Sequence, residues 1–134
     1  MPLVVNQVEI SLAKLDTLQD GTLDQCLAKK ITPMAWSPLA RGKLGTTALT
    51  GLEPAGAPTP TGLTETLDAM AQAHGQSRSV MALAWLLKHP AGIVPIIGST
   101  NPQRIRDAVA ATEVDLTREE WYRLLEAAYG SRLP

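Results

Sequence analysis

Three short apolar runs alternate with helix-like segments along this 134-residue chain, and that alternation constrains the fold more than any other feature. The runs are residues 3–10, 31–37 and 93–97, each of a length and composition typical of a β-strand. Strands that alternate with helices form a parallel sheet through right-handed crossovers, as in doubly wound α/β proteins and (β/α) barrels. Three strands are too few for either architecture, so we expect the chain to be a piece of something larger.

Helical periodicity predicts five helices between and after these strands. In the first, residues 20–30, the apolar face is Leu23, Cys26 and Leu27. The last segment, residues 116–129, opens with Thr117-Arg-Glu-Glu120, which fits the capping-box pattern. The segments between are residues 63–73, 77–88 and 101–112, and the apolar stripe predicted for 77–88 is Val80, Met81, Ala84, Trp85 and Leu87.

Residues 40–62 are dense in Gly, Pro and Thr and are longer than most connections in a compact domain. Such a connection is either functional or disordered. We treat residues 1–134 as one unit that contains this loop.

Composition excludes several classes of function. The 12 Lys and Arg are spread among 13 Asp and Glu, so the chain has no basic block for nucleic acid. The single cysteine, Cys26, excludes an internal disulfide and a cysteine-based zinc site, and Asp16, Asp20 and Asp24 do not match a calcium loop. No signal-peptide pattern or membrane-length apolar stretch is present, which predicts a cytoplasmic protein without a membrane or metal partner.

The stretch Gly98-Ser-Thr-Asn-Pro102 connects the third predicted strand to the next helix. Glycine permits close approach of a ligand, hydroxyl groups follow, and a helix start can bind an anion, with Arg104 available for a phosphate. The alternative is that Asn101 and Pro102 only cap the helix. Arg106 is predicted to be a solvated charge.

The second predicted strand ends in Trp36-Ser37-Pro38, followed by Arg41 and Gly42. An indole at the carboxyl end of a parallel strand can offer its flat face to a heterocycle, and Ser37, Arg41 and the Gly42 backbone can bind a diphosphate. A tryptophan is more often part of the core, which is the alternative interpretation of Trp36.

In the first predicted strand, Gln7 and Glu9 lie on one face because side chains alternate with period two. Gln7 either pairs with an amide of a ligand or satisfies neighbouring backbone, and both interpretations stay open.

The usual proton-transfer candidates are weak. His74 and His89 are predicted to be exposed and structural, and Tyr122 and Tyr129 fit packing positions on the last helix. The sequence therefore predicts a binding surface and no catalytic residue.

Taken together, VVNQVEIS, ITPMAWSPLARGKL and IVPIIGSTNPQRIRDAV resemble, in order and spacing, the sixth, seventh and eighth strand regions of the aldo-keto reductase family. LTREEWYRLLEAAYG resembles its C-terminal helix, and the likeness is greatest to the bacterial YdhF-like oxidoreductase branch. The resemblance implies an α/β fold, part of a (β/α)8 TIM barrel, corresponding to strands 6–8 with their helices. It also implies NADP(H) as cofactor and a small-molecule carbonyl substrate reduced by hydride transfer.

Residue by residue, the resemblance implies an extended cofactor path. Gln7 would hold the nicotinamide carboxamide, and Trp36, where the family has an aromatic residue, would stack on the nicotinamide ring. Ser37, Leu39 and Arg41 would line the path of the diphosphate.

At the adenosine end, the resemblance implies a 2′-phosphate site formed by Gly98, Ser99, Thr100 and Arg104. Asp107 would lie where an acidic residue often meets the adenine. Ala108 stands where many family members have Asn, which puts one adenine contact in doubt.

The family's catalytic Asp, Tyr, Lys and His come from its first four strands, and nothing in this chain matches them. The chain is thus expected to be a truncated, cofactor-binding part that is inactive alone. The alternative is an inactive NADP-binding or interaction fragment, and self-association or pairing with a missing N-terminal half is expected.

Overall fold

Three parallel strands form the centre of the structure, a computed structural model that describes residues 1–45, 59–60 and 62–133. The strands are β1 (Val5–Glu9), β2 (Thr32–Trp36) and β3 (Val94–Pro95), in the spatial order β1-β2-β3. Both pairings are parallel, so the predicted parallel sheet is confirmed.

Strand β3 is shorter than the predicted 93–97. Pro95 has no N–H to donate to the ladder, which limits regular pairing there. One further bond, from the Ile96 N–H to the Ala35 carbonyl at 2.9 Å, keeps the chain beside β2 past the end of the strand.

The described residues form five α-helices. They are α1 (Thr22–Lys29), α2 (Leu63–His74), α3 (Arg78–Leu87), α4 (Pro102–Val109) and α5 (Arg118–Tyr129). The helix predicted over 101–112 ends earlier because the chain tightens into a 3₁₀ turn at Ala110–Glu113. Within the described ranges, none of the helices combines the length and apolar character that a membrane crossing requires.

Only the two ends of the predicted 40–62 loop are described. Ala40–Gly42 forms a 3₁₀ turn, Leu44 is fully buried, and the Leu63 N–H donates to the Pro60 carbonyl at 3.2 Å. The prediction for residues 46–58 and 61 lies outside the described residues.

The core lies between the helices and one face of the sheet, and α3 is its centre. All seven residues from Val80 to Leu86 are buried, since α3 contacts α2, α4 and β3. The apolar stripe predicted for this helix is therefore wrong at its C-terminal end. Leu87 was assigned to the stripe but is 37% exposed, whereas Leu86 was not assigned to it and is fully buried. In α1, Leu23 and Cys26 are buried as predicted, but Leu27 is half exposed.

Two tryptophans join α3 to α5. The rings of Trp85 and Trp121 stack with centroids 5.0 Å apart. Each indole N–H donates to the other residue's backbone carbonyl, at 3.2 Å from Trp85 and 2.9 Å from Trp121. Buried indole N–H groups need partners, so the reciprocal bonds fix how the two helices dock.

The start of α5 is tied to the end of α2. The predicted capping box is confirmed: the Glu120 N–H donates to the Thr117 hydroxyl, and the Thr117 N–H donates to a Glu120 carboxylate oxygen at 2.8 Å. The other oxygen pairs with His74 Nε2 at 2.8 Å. These bonds lower the pKa of Glu120, the His74 bond most, followed by the Thr117 N–H.

Candidate functional site

The two faces of the sheet differ in what covers them. In the parallel register, Gln7 pairs with Met34 and Glu9 with Trp36, and paired residues of neighbouring strands point to the same side. Pro33 and Ala35 point to the helices and are buried. We call the opposite face, which carries Val5, Gln7, Glu9, Met34, Trp36 and Val94, the open face.

Gln7 lies exposed on the open face, as the period-two pattern predicts. Its carboxamide makes no hydrogen bond to any residue in the described ranges. The interpretation that it satisfies neighbouring backbone is therefore not realised. An amide that points outward with both its donors and its acceptor free can pair with another amide.

Trp36 ends β2 and is 37% exposed. Its ring is outside the buried cluster to which Trp85 belongs, and it stacks on no described aromatic residue. The interpretation of Trp36 as core is thus wrong. Part of the side chain is available to a ligand.

A run of unusual backbone follows β2 at the carboxyl edge of the sheet. Ser37, Ala40 and Arg41 have positive φ values of 53°, 50° and 55°, and Gly42 has 90°. The left-handed conformation costs a non-glycine residue about 1 kcal/mol, and such strain clusters at functional sites. Sequence reasoning missed these values because only Gly42 carries a composition signal for them. Leu39, in the same segment, packs against the core.

The turn between β3 and α4 is capped by Asn101. Its side-chain oxygen accepts from the N–H of Gln103 at 2.9 Å and of Arg104 at 3.4 Å, and Pro102 has no N–H. The Ser99 hydroxyl accepts from the Asn101 N–H at 3.1 Å. The capping interpretation is therefore realised, and an anion at this turn would depend on side chains more than on free backbone N–H groups.

Arg104 is exposed, and its guanidinium has no partner among the residues that the structure describes. By contrast, Asp107 accepts from the Gln103 amide at 2.7 Å, and Arg106 donates to the other end of that amide at 3.0 Å. Arg104 is thus a cation of α4 without a partner among the described residues, and it lies in the first turn after the Asn101 cap.

The histidines lie away from this edge, and the prediction that both are exposed was wrong. His74 is partly buried against Glu120. His89 is partly buried near Trp121, and its Nδ1 accepts from the Ala91 N–H at 3.2 Å. Burial lowers the pKa of His89, and the charge of Asp24 opposes this with a smaller effect. No group of three or more His, Cys, Asp or Glu suited to a metal ion occurs within the described ranges.

Comparison with known proteins identifies the family. The aldo/keto reductase family model matches residues 1–128. The chain belongs to the aldo/keto reductase family.

Individual members of this family repeat the match. A 6-dehydroglucose reductase of Novosphingobium aromaticivorans is 46% identical over 98% of this chain and 41% of its own length. The oxidoreductase YdhF of Escherichia coli is 37% identical over 98% of the chain and 41% of its length. A crystal structure of an aldo/keto reductase from Klebsiella pneumoniae in complex with NADP and acetate superposes with a TM-score of 0.72, at 26% identity, over 98% of this chain and 41% of that one.

The chain spans about two fifths of the length of these relatives. The resemblance to the YdhF-like branch is confirmed, and the three parallel strands with their helices are part of the family's (β/α) barrel.

Proposed function

We propose that this chain is the cofactor-binding part of an NADPH-dependent aldo/keto reductase that reduces aldehydes or ketones to alcohols. The observation that carries the proposal is the set of free groups on the open face and the carboxyl edge. A free carboxamide at Gln7, an exposed indole at Trp36 and a free guanidinium at Arg104 match an amide, a flat ring and a phosphate, the groups that NADPH presents. The NADP complex of a structurally similar family member supports the same cofactor.

At the nicotinamide end, Gln7 would pair with the carboxamide and Trp36 would lie against the ring. Gln7 is two residues before Glu9, the register partner of Trp36, so the amide and the indole share one face of adjacent strands. NADPH, when bound, supplies the hydride that a carbonyl carbon accepts. The role of this chain would be to orient the nicotinamide ring and to exclude water from one side of the ring.

Along the carboxyl edge, Ser37 and Arg41 would meet the diphosphate. Leu39 packs against the core, so its role would be to hold the backbone between Ser37 and Arg41 in position. Ser37, Ala40, Arg41 and Gly42 have left-handed backbone in this segment, and a backbone already set in the binding conformation would lose less entropy on binding.

At the adenosine end, selectivity between NADPH and NADH would depend on Arg104. The cap already occupies the first backbone N–H groups of α4, so the guanidinium is the main group for the 2′-phosphate, with the Thr100 and Ser99 hydroxyls beside it. Asp107 would lie near the adenine, although its carboxylate already accepts from Gln103.

Fluorescence titration of this chain with NADPH tests the proposal. We expect the wild type to bind, and Arg104→Ala to bind NADPH roughly tenfold more weakly with no change for NADH, because a hydrogen bond to a charged group contributes about 1.5–3 kcal/mol. Arg106→Ala is the matched control, since Arg106 is on the same helix and already bonded to Gln103. No NADPH binding by the wild type, or equal loss in both variants, would contradict the proposal.

Turnover needs a proton for the carbonyl oxygen as well as a hydride. No residue of this chain is assigned as that donor, so we expect the pure chain to show no aldehyde-dependent oxidation of NADPH above background. Activity that persists after contaminating reductases are removed would show that a donor has been missed.

The open face is proposed to be covered by further polypeptide in the working reductase. It exposes Val5 and Val94, at 43% and 45%, beside Trp36, and strand edges of a small sheet invite pairing. Two copies would supply six strands, so a simple dimer does not close an eight-stranded barrel. We expect light scattering to show self-association of the isolated chain, and a compact monomer would contradict this.

A further inference from the structure

Glu9 is a carboxylate in the open face for which the fold has no evident use. It ends β1, is only partly exposed, and pairs in register with Trp36. Its backbone carbonyl accepts from the Thr17 hydroxyl at 3.0 Å, but its carboxylate makes no hydrogen bond or ion pair with any residue in the described ranges. The carboxylate is thus available to a charged group that lies against Trp36 on the open face.

Lys14 is the nearest alternative explanation. Asp16 raises the pKa of Lys14 through a hydrogen bond and its charge, and Glu9 adds only the smallest contribution. Lys14 is ion-paired with Asp16. The Glu9 carboxylate is therefore not the main partner of this cation.

We infer that Glu9 stabilises the positive charge that the nicotinamide ring acquires when its hydride leaves. This inference rests on the proposed function, because it takes Trp36 as the surface on which the ring lies. When bound, NADPH would give its hydride, with both electrons, to the carbonyl carbon, the oxygen would take a proton from a donor that is not assigned in this chain, and the ring would be left with a positive charge. No bond forms to Glu9, and its carboxylate would act as a fixed negative charge near the ring.

A fixed charge of this kind has a measurable signature. It favours NADP⁺ over NADPH in binding, since the ring of the first is cationic and that of the second is neutral. Glu9→Gln keeps the shape of the side chain and removes the charge. We expect the ratio of the Kd for NADP⁺ to the Kd for NADPH to rise about fivefold, the effect of one charge several ångströms away in a partly screened site.

Calorimetric titration of the chain with NADP⁺ and with NADPH gives both constants without any turnover. Glu9→Asp keeps the charge and is expected to keep most of the wild-type ratio. Asp16→Asn is the matched control, since Asp16 is the stronger of the two carboxylates acting on Lys14. If Glu9 acted only through Lys14, Asp16→Asn would change the ratio at least as much as Glu9→Gln does.

The outcomes separate the two proposals. Binding of both cofactors with an unchanged ratio in Glu9→Gln, or an equal change in Asp16→Asn, overturns the role of Glu9 and leaves the proposed function intact. Failure of the wild type to bind either cofactor overturns both. A raised ratio in Glu9→Gln that Glu9→Asp largely restores supports the inference.

Discussion

The helices that pack against one face of the sheet, here called the helical side, contain tryptophan and arginine residues, and so do the open face and the carboxyl edge. The two groups differ in whether these side chains have partners within the chain. On the helical side, Trp85 and Trp121 satisfy each other's indole N–H, and Arg78 of α3 forms two bonds to Asp68 of α2, at 2.7 and 2.5 Å. On the open face and the carboxyl edge, Trp36 and Arg104 have no such partner among the described residues.

This difference separates groups that stabilise the fold from groups available to a ligand. A buried polar atom without a partner costs free energy, and none is found among the described side chains. Free polar groups are instead concentrated where water can reach them. The comparison therefore predicts which substitutions lower stability and which weaken binding.

The largest difference is expected between two tryptophans. Trp85→Ala should lower the free energy of unfolding by about 3–5 kcal/mol, because Trp85 is only 1% exposed and its removal leaves a cavity and an unpaired Trp121 N–H. Trp36→Ala should cost no more than about 1 kcal/mol, since that ring is already partly in water.

Urea unfolding followed by far-UV circular dichroism measures both values, and NADPH titration of Trp36→Ala gives the complementary result of weaker binding. If both substitutions lowered the free energy of unfolding equally, the claim that the helical side stabilises the fold while the open face is available to a ligand would be contradicted.

A smaller effect is expected at the junction of α2 and α5. Glu120→Gln should lower the free energy of unfolding at pH 7 by about 1–2 kcal/mol, because its carboxylate both caps α5 and bonds His74. Glu119→Gln is the matched control, since Glu119 lies in the same first turn and is exposed.

The pH dependence of Glu120→Gln has a definite sign. The pKa of Glu120 is lowered by folding, so its contribution is complete above the ordinary value of 4.5 and is lost as the pH falls through the lower folded-state value. Wild type and Glu120→Gln should thus converge in stability below about pH 4.5. A gap that stays constant down to pH 3 would mean that the charge of Glu120 does not contribute.

The smallest change in stability is expected at Gly98. A β-carbon built there meets no atom within 4 Å, so Gly98→Ala should alter the free energy of unfolding by less than about 0.5 kcal/mol. If the cofactor approaches this backbone closely, the added methyl should weaken NADPH binding by about 1–3 kcal/mol.

For Gly130→Ala we expect the reverse of the result for Gly98→Ala, namely a loss of stability without a loss of NADPH binding. Gly130 ends α5 with a φ of 72°, so alanine there should cost about 1 kcal/mol of stability and leave NADPH binding unchanged. Unchanged NADPH binding by Gly98→Ala would remove Gly98 from the proposed site.

Local patterns in the sequence predicted what depends on local physics. The capping box at Thr117 and Glu120 and the shared face of Gln7 and Glu9 follow from spacing alone, and the structure has both. The order of strands and helices also follows from periodicity. The assignments of individual residues to parts of NADPH remain predictions.

Features that depend on neighbours could not be predicted in this way. Trp36 and Trp85 both stand in apolar stretches, and only the packing of α3 on three sides decides which of them is core. Whether the start of α4 has free N–H groups depended on where the Asn101 side chain points. The left-handed backbone at Ser37 and Arg41 has no local signal because neither residue is glycine.

The paired indoles of Trp85 and Trp121 also make the chain its own optical probe. Two rings stacked at 5.0 Å and nearly parallel are close enough for their electronic transitions to couple, so we expect the circular dichroism of the pair to change when α5 separates from α3. The chain has three tryptophans, and the third, Trp36, is on the open face. Dichroism of the pair and fluorescence of Trp36 would therefore follow helix docking and ligand arrival in one unlabelled sample.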